Sequence, residues 1–118
     1  MEIIRQEASE LYNETMIDIK QTKSVFCRII KTINKDVELQ KLFTPEMKTH
    51  LKILIQMWNN NNDATIEYYF KLKEHHEYIN GNIQHPMVKD MWDDYISRCC
   101  DFRCKLLQFN DLCKKLQM

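Results

Sequence analysis

Stepping alternately by four and three residues from Val88 reaches Trp92, Tyr95, Cys99, Phe102, Leu106, Phe109, Cys113 and Leu116, and every one of these positions is apolar or aromatic. That spacing is the one at which an α-helix presents a single continuous stripe. The segment therefore predicts one long helix, about 86–117, packed along its length against others. Pro86 suits the first turn, where its missing N–H costs nothing. Asp90, Asp93 and Asp94 lie near the start and Lys114 and Lys115 near the end, both complementing the helix dipole.

Breakers are scarce elsewhere. Gly81 is the only glycine, and Pro45 and Pro86 are the only prolines. A β-rich chain of this size needs several tight turns, and turns with positive φ favour glycine. Few breakers mean few turns and long elements. Thr44-Pro45-Glu46 reads as a helix start, with Thr as N-cap, Pro at the first helical position and an acid in the first turn. From there Met47, Leu51, Leu54, Trp58, Asn61, Thr65, Tyr68, Leu72, His75 and Ile79 keep the same stepping, and Gly81 reads as the C-cap. The run Asn59 to Asp63 is the weak point, because Asn competes for the backbone inside a helix. The stripe keeps its phase across the run, so one helix over about 45–80 is expected, with a break at 59–63 as the alternative.

A first helix over about 2–34 carries Tyr12, Met16, Ile19, Phe26, Ile30 and Ile33 on its stripe, interrupted by Lys23, with Ile4, Ala8, Leu11, Val25 and Ile29 on a flank. A short helical connector near 36–43 follows. Short connections make sequential helices antiparallel neighbours. The expectation is an all-α, antiparallel bundle of three long helices, forming a single domain over 1–118.

Seventeen basic and seventeen acidic residues cancel, which weighs against a dedicated nucleic-acid binder. No stretch approaches the roughly 20 apolar residues that span a bilayer. MEIIRQEASE has neither a basic leader region nor an apolar run of signal-peptide length. Five cysteines, an odd number without such a leader, fit reduced thiols, so an intracellular location, cytoplasmic or nuclear, is expected.

No chemistry-bearing motif emerges. Cys99, Cys100 and Cys104 lack the paired spacing of a zinc site, and one helix cannot turn them to one ion. A thiol-based redox sensor built on them is a weaker reading. His75-His76 between Glu74 and Glu77 lacks the Glu-x-x-His pairs of a carboxylate-bridged metal bundle. His75 reads instead as a partly buried, hydrogen-bonded residue. No catalytic residue, metal, cofactor or small-molecule substrate is expected, and the chain is not expected to be an enzyme.

What remains is surplus apolar surface. Ile96, Cys100, Cys104 and Leu107, with Arg103 beside them, form a second stripe on the last helix, and Ile66 and Phe70 lie off the stripe of the middle one. Contiguous exposed apolar patches mark binding sites. The leading expectation is a noncatalytic interaction module, an adaptor or complex subunit, that binds another helical protein or itself as a homodimer through these residues. A four-helix arrangement with wider buried faces would also account for the stripes. The alternative function is electrostatic binding of nucleic acid or anionic lipid through Lys20, Arg28, Lys31 and Lys35. These lie within roughly a quarter-turn at 100° per residue, although cations also belong near a helix C-terminus.

Overall fold

The computed structural model describes residues 2–60 and 66–117, and the side chains of all of these except 66–69. The described chain is all-helical, with α1 (Glu2–Lys35), α2 (Val37–Lys41), α3 (Pro45–Asn59), α4 (Ile66–Asn80) and α5 (Pro86–Gln117). Two of the expected helices stand with their predicted limits shifted by at most a residue. The connector contracts to the single turn of α2.

The caps follow from the sequence. Asp36 caps α2 by accepting from the Glu38 N–H at 2.9 Å. Thr44 caps α3 by accepting from the Met47 N–H at 3.2 Å, with Pro45 next in the chain. Gly81 follows α4 and donates to the Glu77 carbonyl at 3.1 Å. Its φ is not positive, so it closes the helix without the left-handed turn that would require glycine.

The middle helix over 45–80 is the correction. α3 ends at Asn59, and Asn60 caps it through its N–H to the Gln56 carbonyl. α4 starts afresh at Ile66, and 61–65 lie outside the described residues. The two helices fold back on each other. His50 meets His75, and Glu46 meets Tyr78, so later residues of α4 pair with earlier ones of α3. An unbroken stripe cannot distinguish one long helix from two in phase that double back.

α1 and α5 also run antiparallel, with Tyr12 against Phe109, Lys105 on Asp18 and Phe26 against Tyr95. α5 returns along α4, where the Trp92 indole N–H donates to the His76 carbonyl at 3.3 Å. Close packing joins α1 to α5, α3 to α4, α4 to α5 and α1 to α2. α1 and α3 do not pack closely, and meet mainly through the aromatic centre.

That centre holds Phe26, Trp58, Trp92, Tyr95 and Phe102, each at most 2% exposed. Ring centroids of Trp92 and Tyr95 lie 5.1 Å apart, and those of Phe26 and Tyr95 lie 5.2 Å apart. The Trp58 indole N–H donates to the Tyr95 hydroxyl at 2.8 Å, so neither polar tip is buried unsatisfied. Residues Val88, Trp92, Tyr95, Cys99, Phe102 and Leu106 of the α5 stripe are all buried. On α1 the buried face turns toward the flank, to Ala8, Thr15, Ile19, Thr22, Val25, Phe26, Ile29 and Ile33. Thr15 and Thr22 enter it because their hydroxyls donate to the carbonyls four residues back, each at 2.7 Å.

Helix lengths set the shape. α1 has 34 residues and α5 has 32, about 51 and 48 Å at 1.5 Å per residue. α3 and α4 have 15 each, about 22 Å. The molecule measures 56 × 22 × 20 Å. The α3–α4 hairpin therefore covers about half of the α1–α5 pair, the half where Phe26 and Trp92 lie. Beyond it, around Tyr12 and Phe109, only two helices run together among the described residues.

Candidate functional site

Because α1 and α3 do not pack closely, a groove of about 210 Å³ opens between them. Phe26 and Ile30 of α1 and Ile55 and Trp58 of α3 form its floor, and Lys23, Cys27, Lys31 and Asn59 form its edges. Ile30 and Ile55 are half-buried against the core. Lys48 and Lys52 lie seven and three residues before Ile55, on the same flank of α3, and both are exposed.

The groove runs into a cationic strip along α1. Lys20, Lys23, Ser24, Cys27, Arg28 and Lys31 line one shallow furrow. Arg28, Lys31 and Lys35 line the next, with Asp94 of α5 on its far wall. Lys20, Arg28, Lys31 and Lys35 are thus brought together and are all exposed. Some cations elsewhere find carboxylates, as in Lys41–Glu38 at 3.3 Å, Lys89–Asp93 at 3.4 Å, Arg98–Asp94 at 3.3 Å and Lys105–Asp18. Among the described residues, Lys20, Lys23, Arg28, Lys31 and Lys35 join no such pair.

The second stripe of α5 is divided. Ile96 packs against the core beside Tyr95, on the flank where α4 lies. Arg103 is half-buried, whereas Cys100, Cys104 and Leu107 are exposed, Leu107 at 38%. On α4, Phe70 is 48% exposed, and the Ile66 side chain lies outside the described residues. Cys100, Cys104 and Leu107, spaced i, i+4 and i+7, remain exposed on one side of α5.

The sequence reading missed the groove floor, although two signals for it were visible. Lys23 interrupts the apolar stripe of α1, and Ile55 stands off that of α3. Both border a place where two neighbouring helices do not meet.

Histidines crowd the hairpin. Nδ1 of His50 and Nδ1 of His75 lie 2.7 Å apart, so one ring donates and the other accepts. Tyr78 stacks on His50 at 4.1 Å, and its hydroxyl donates to Glu46 Oε2 at 2.7 Å. That hydrogen bond raises the Tyr78 pKa. Burial lowers the His75 pKa, and the neighbouring His50 lowers it further. His76 is the core histidine, 2% exposed, with neither ring nitrogen hydrogen-bonded. Burial, with Lys73 and His75 nearby, brings its pKa down to about 4.

All five cysteines are free. Burial pushes the Cys99 thiol far above its ordinary range, so it stays protonated. Among the described residues no group of three His, Cys, Asp or Glu side chains is placed to hold a metal ion. No helix among them is long and apolar enough to cross a membrane. Comparison with protein-family models, with curated proteins and with solved structures finds no match to this chain.

Proposed function

We propose that this chain is a noncatalytic interaction module, an adaptor or complex subunit, that seats an acidic amphipathic helix in the groove between α1 and α3. The observation that carries this reading is the pairing of an apolar floor with edges whose cations no carboxylate neutralises. A helix laid in such a groove buries apolar residues at i, i+3, i+4 and i+7 chiefly on Ile30 and Ile55, with the nearly fully buried Phe26 and Trp58 beneath them. Acidic residues on its flanks meet Lys23 and Lys31 from α1, and Lys48 and Lys52 from α3. Floor contacts supply affinity, and the edges set partner choice and on-rate. The α5 stripe is the weaker candidate surface, because Ile96 is already committed to the core.

The test is fluorescence anisotropy with two labelled synthetic helices of about four turns, alike in their leucine spacing. One carries Glu on its flanks and the other carries Lys. The acidic helix should bind and the basic one should not. Lys23→Glu should weaken binding about threefold to tenfold, the range for turning one exposed attraction into repulsion. Ile55→Asn should weaken it irrespective of salt. Equal binding of both helices, or of neither, overturns the reading.

The unpaired cations also support a second reading, binding of nucleic acid or anionic lipid along Lys20, Arg28, Lys31 and Lys35. In that case affinity falls steeply with salt and is indifferent to Ile55→Asn.

A further inference from the structure

The face of α1 that looks away from the bundle carries a pattern of its own. From Ile3, alternate steps of four and three reach Glu7, Glu10, Glu14, Ile17, Gln21, Ser24, Arg28, Lys31 and Lys35. All ten residues are exposed, Ile3 at 72% and Ile17 at 55%. This is a heptad stripe on the outside of the molecule, roughly opposite the Phe26 and Ile30 that floor the groove.

Its charges are antisymmetric. Reflected about position 19, Glu7 falls on Lys31, Glu10 on Arg28, Glu14 on Ser24, Ile17 on Gln21 and Ile3 on Lys35. Each reflected pair joins one first-position residue of the heptad to one fourth-position residue. Two antiparallel helices meet across a seam in that relation. Among the described residues Glu7, Glu10, Glu14, Arg28, Lys31 and Lys35 join no ion pair, whereas Asp18, off this stripe, pairs with Lys105. On the stripe's acidic part Gln6 donates to Glu10 Oε1 at 3.2 Å within the same helix.

We infer that a second copy of this chain docks on this face, α1 against α1 and antiparallel, about a two-fold axis beside Ile17 and Gln21. A two-fold interface needs a surface that complements itself, and a helix that is acidic in one half and basic in the other does so in one register. Ile17 and Ile3, with the aliphatic stems of the lysines and arginine, supply the apolar contact. The ion pairs fix direction and register and are individually weak. The dimer is therefore salt-sensitive, and a parallel arrangement is excluded by acid facing acid. The inference does not rest on the groove proposal, because the groove floor lies on another side of α1 and the two surfaces share only Lys31, so the Glu7→Lys with Glu10→Lys variant tests the dimer apart from the groove.

Sedimentation equilibrium of the full chain tests it with two charge-reversed variants, Glu7→Lys with Glu10→Lys, and Arg28→Glu with Lys31→Glu. Wild type should dimerise at about 50 mM salt and dissociate at least roughly tenfold more readily at about 500 mM, where charges are screened within a few ångströms. Each variant alone should be monomeric, with helicity by circular dichroism unchanged because all four positions are exposed. An equimolar mixture of the two should form a heterodimer, since every reversed charge then faces a reversed partner. A wild-type monomer at low salt overturns the inference. So does a dimer that the reversals leave intact, or a mixture that stays monomeric.

Discussion

His76 carries an imidazole in the core with no hydrogen bond to either nitrogen, a cost of burial that the neutral ring tolerates and the charged ring does not. Its pKa in the folded chain, about 4, lies below the ordinary histidine value of about 6.5. The unfolded chain therefore binds the proton first as pH falls, and stability is lost on the acid side. The contribution is full above about pH 6.5 and gone by about pH 4, roughly 3 kcal/mol for that difference. His75, also lowered, adds loss of the same sign. Urea melts across this window should show the midpoint falling with acidification. His76→Leu should flatten most of that slope while leaving neutral stability equal or higher, because it replaces an unsatisfied polar group by a similar volume of hydrocarbon. An unchanged slope in that variant would assign the acid loss to other groups.

Among the elements, α1 and α5 extend past the hairpin, and their protection should follow. Amides in 22–34 and 88–102 belong to helices covered on further sides by α3 and α4. Amides in 2–15 and 107–117 belong to a pair of helices with fewer buried partners, Ala8 and Thr15 being the buried residues of α1 there. Native-state hydrogen exchange should find the second set opening at lower free energy. Equal protection along both helices would mean that the pair is stabilised by something other than burial. The extent of each element was legible from local chemistry. Thr44-Pro45 and Pro86 mark helix starts, and the α5 stripe names its own buried residues. The buried face of α1 was less legible, because Thr15 and Thr22 are written in polar letters. Their hydroxyls are satisfied by the helix's own carbonyls, so they pack as small apolar groups. Tyr12, placed on the stripe by spacing, is 40% exposed. Its ring still meets Phe109 of α5 from the edge of the buried face.

For the molecule as a whole, one misread break redistributed the surfaces. Periodicity reports which side of a helix is apolar, and nothing in it says whether the chain reverses between two segments of equal phase. Once α4 turns back along α3, it lies against α5, and Ile96 acquires a neighbour within the chain. Cys100, Cys104 and Leu107 of the second stripe stay exposed. The same reversal opens the groove, since a short α3 reaches α1 only at the aromatic centre. The cationic strip was legible throughout, because charge at fixed helical spacing stays on one side of α1 whatever packs elsewhere.

Trp58 lies where these surfaces converge. It borders the groove, its ring centroid is 6.5 Å from that of Phe26 and 6.2 Å from that of Phe102, and its N–H is held by Tyr95. The molecule thus carries an optical probe at the place where a partner is expected to sit, read against the second buried indole, Trp92. An indole with a fixed hydrogen bond in an apolar cluster emits toward the blue, and any event that wets or displaces it shifts that emission. Seating of an acidic helix should leave the emission blue and change its intensity, whereas acid-driven opening of the hairpin should move it to the red. Binding and unfolding then become separable in an unlabelled sample, from one spectrum.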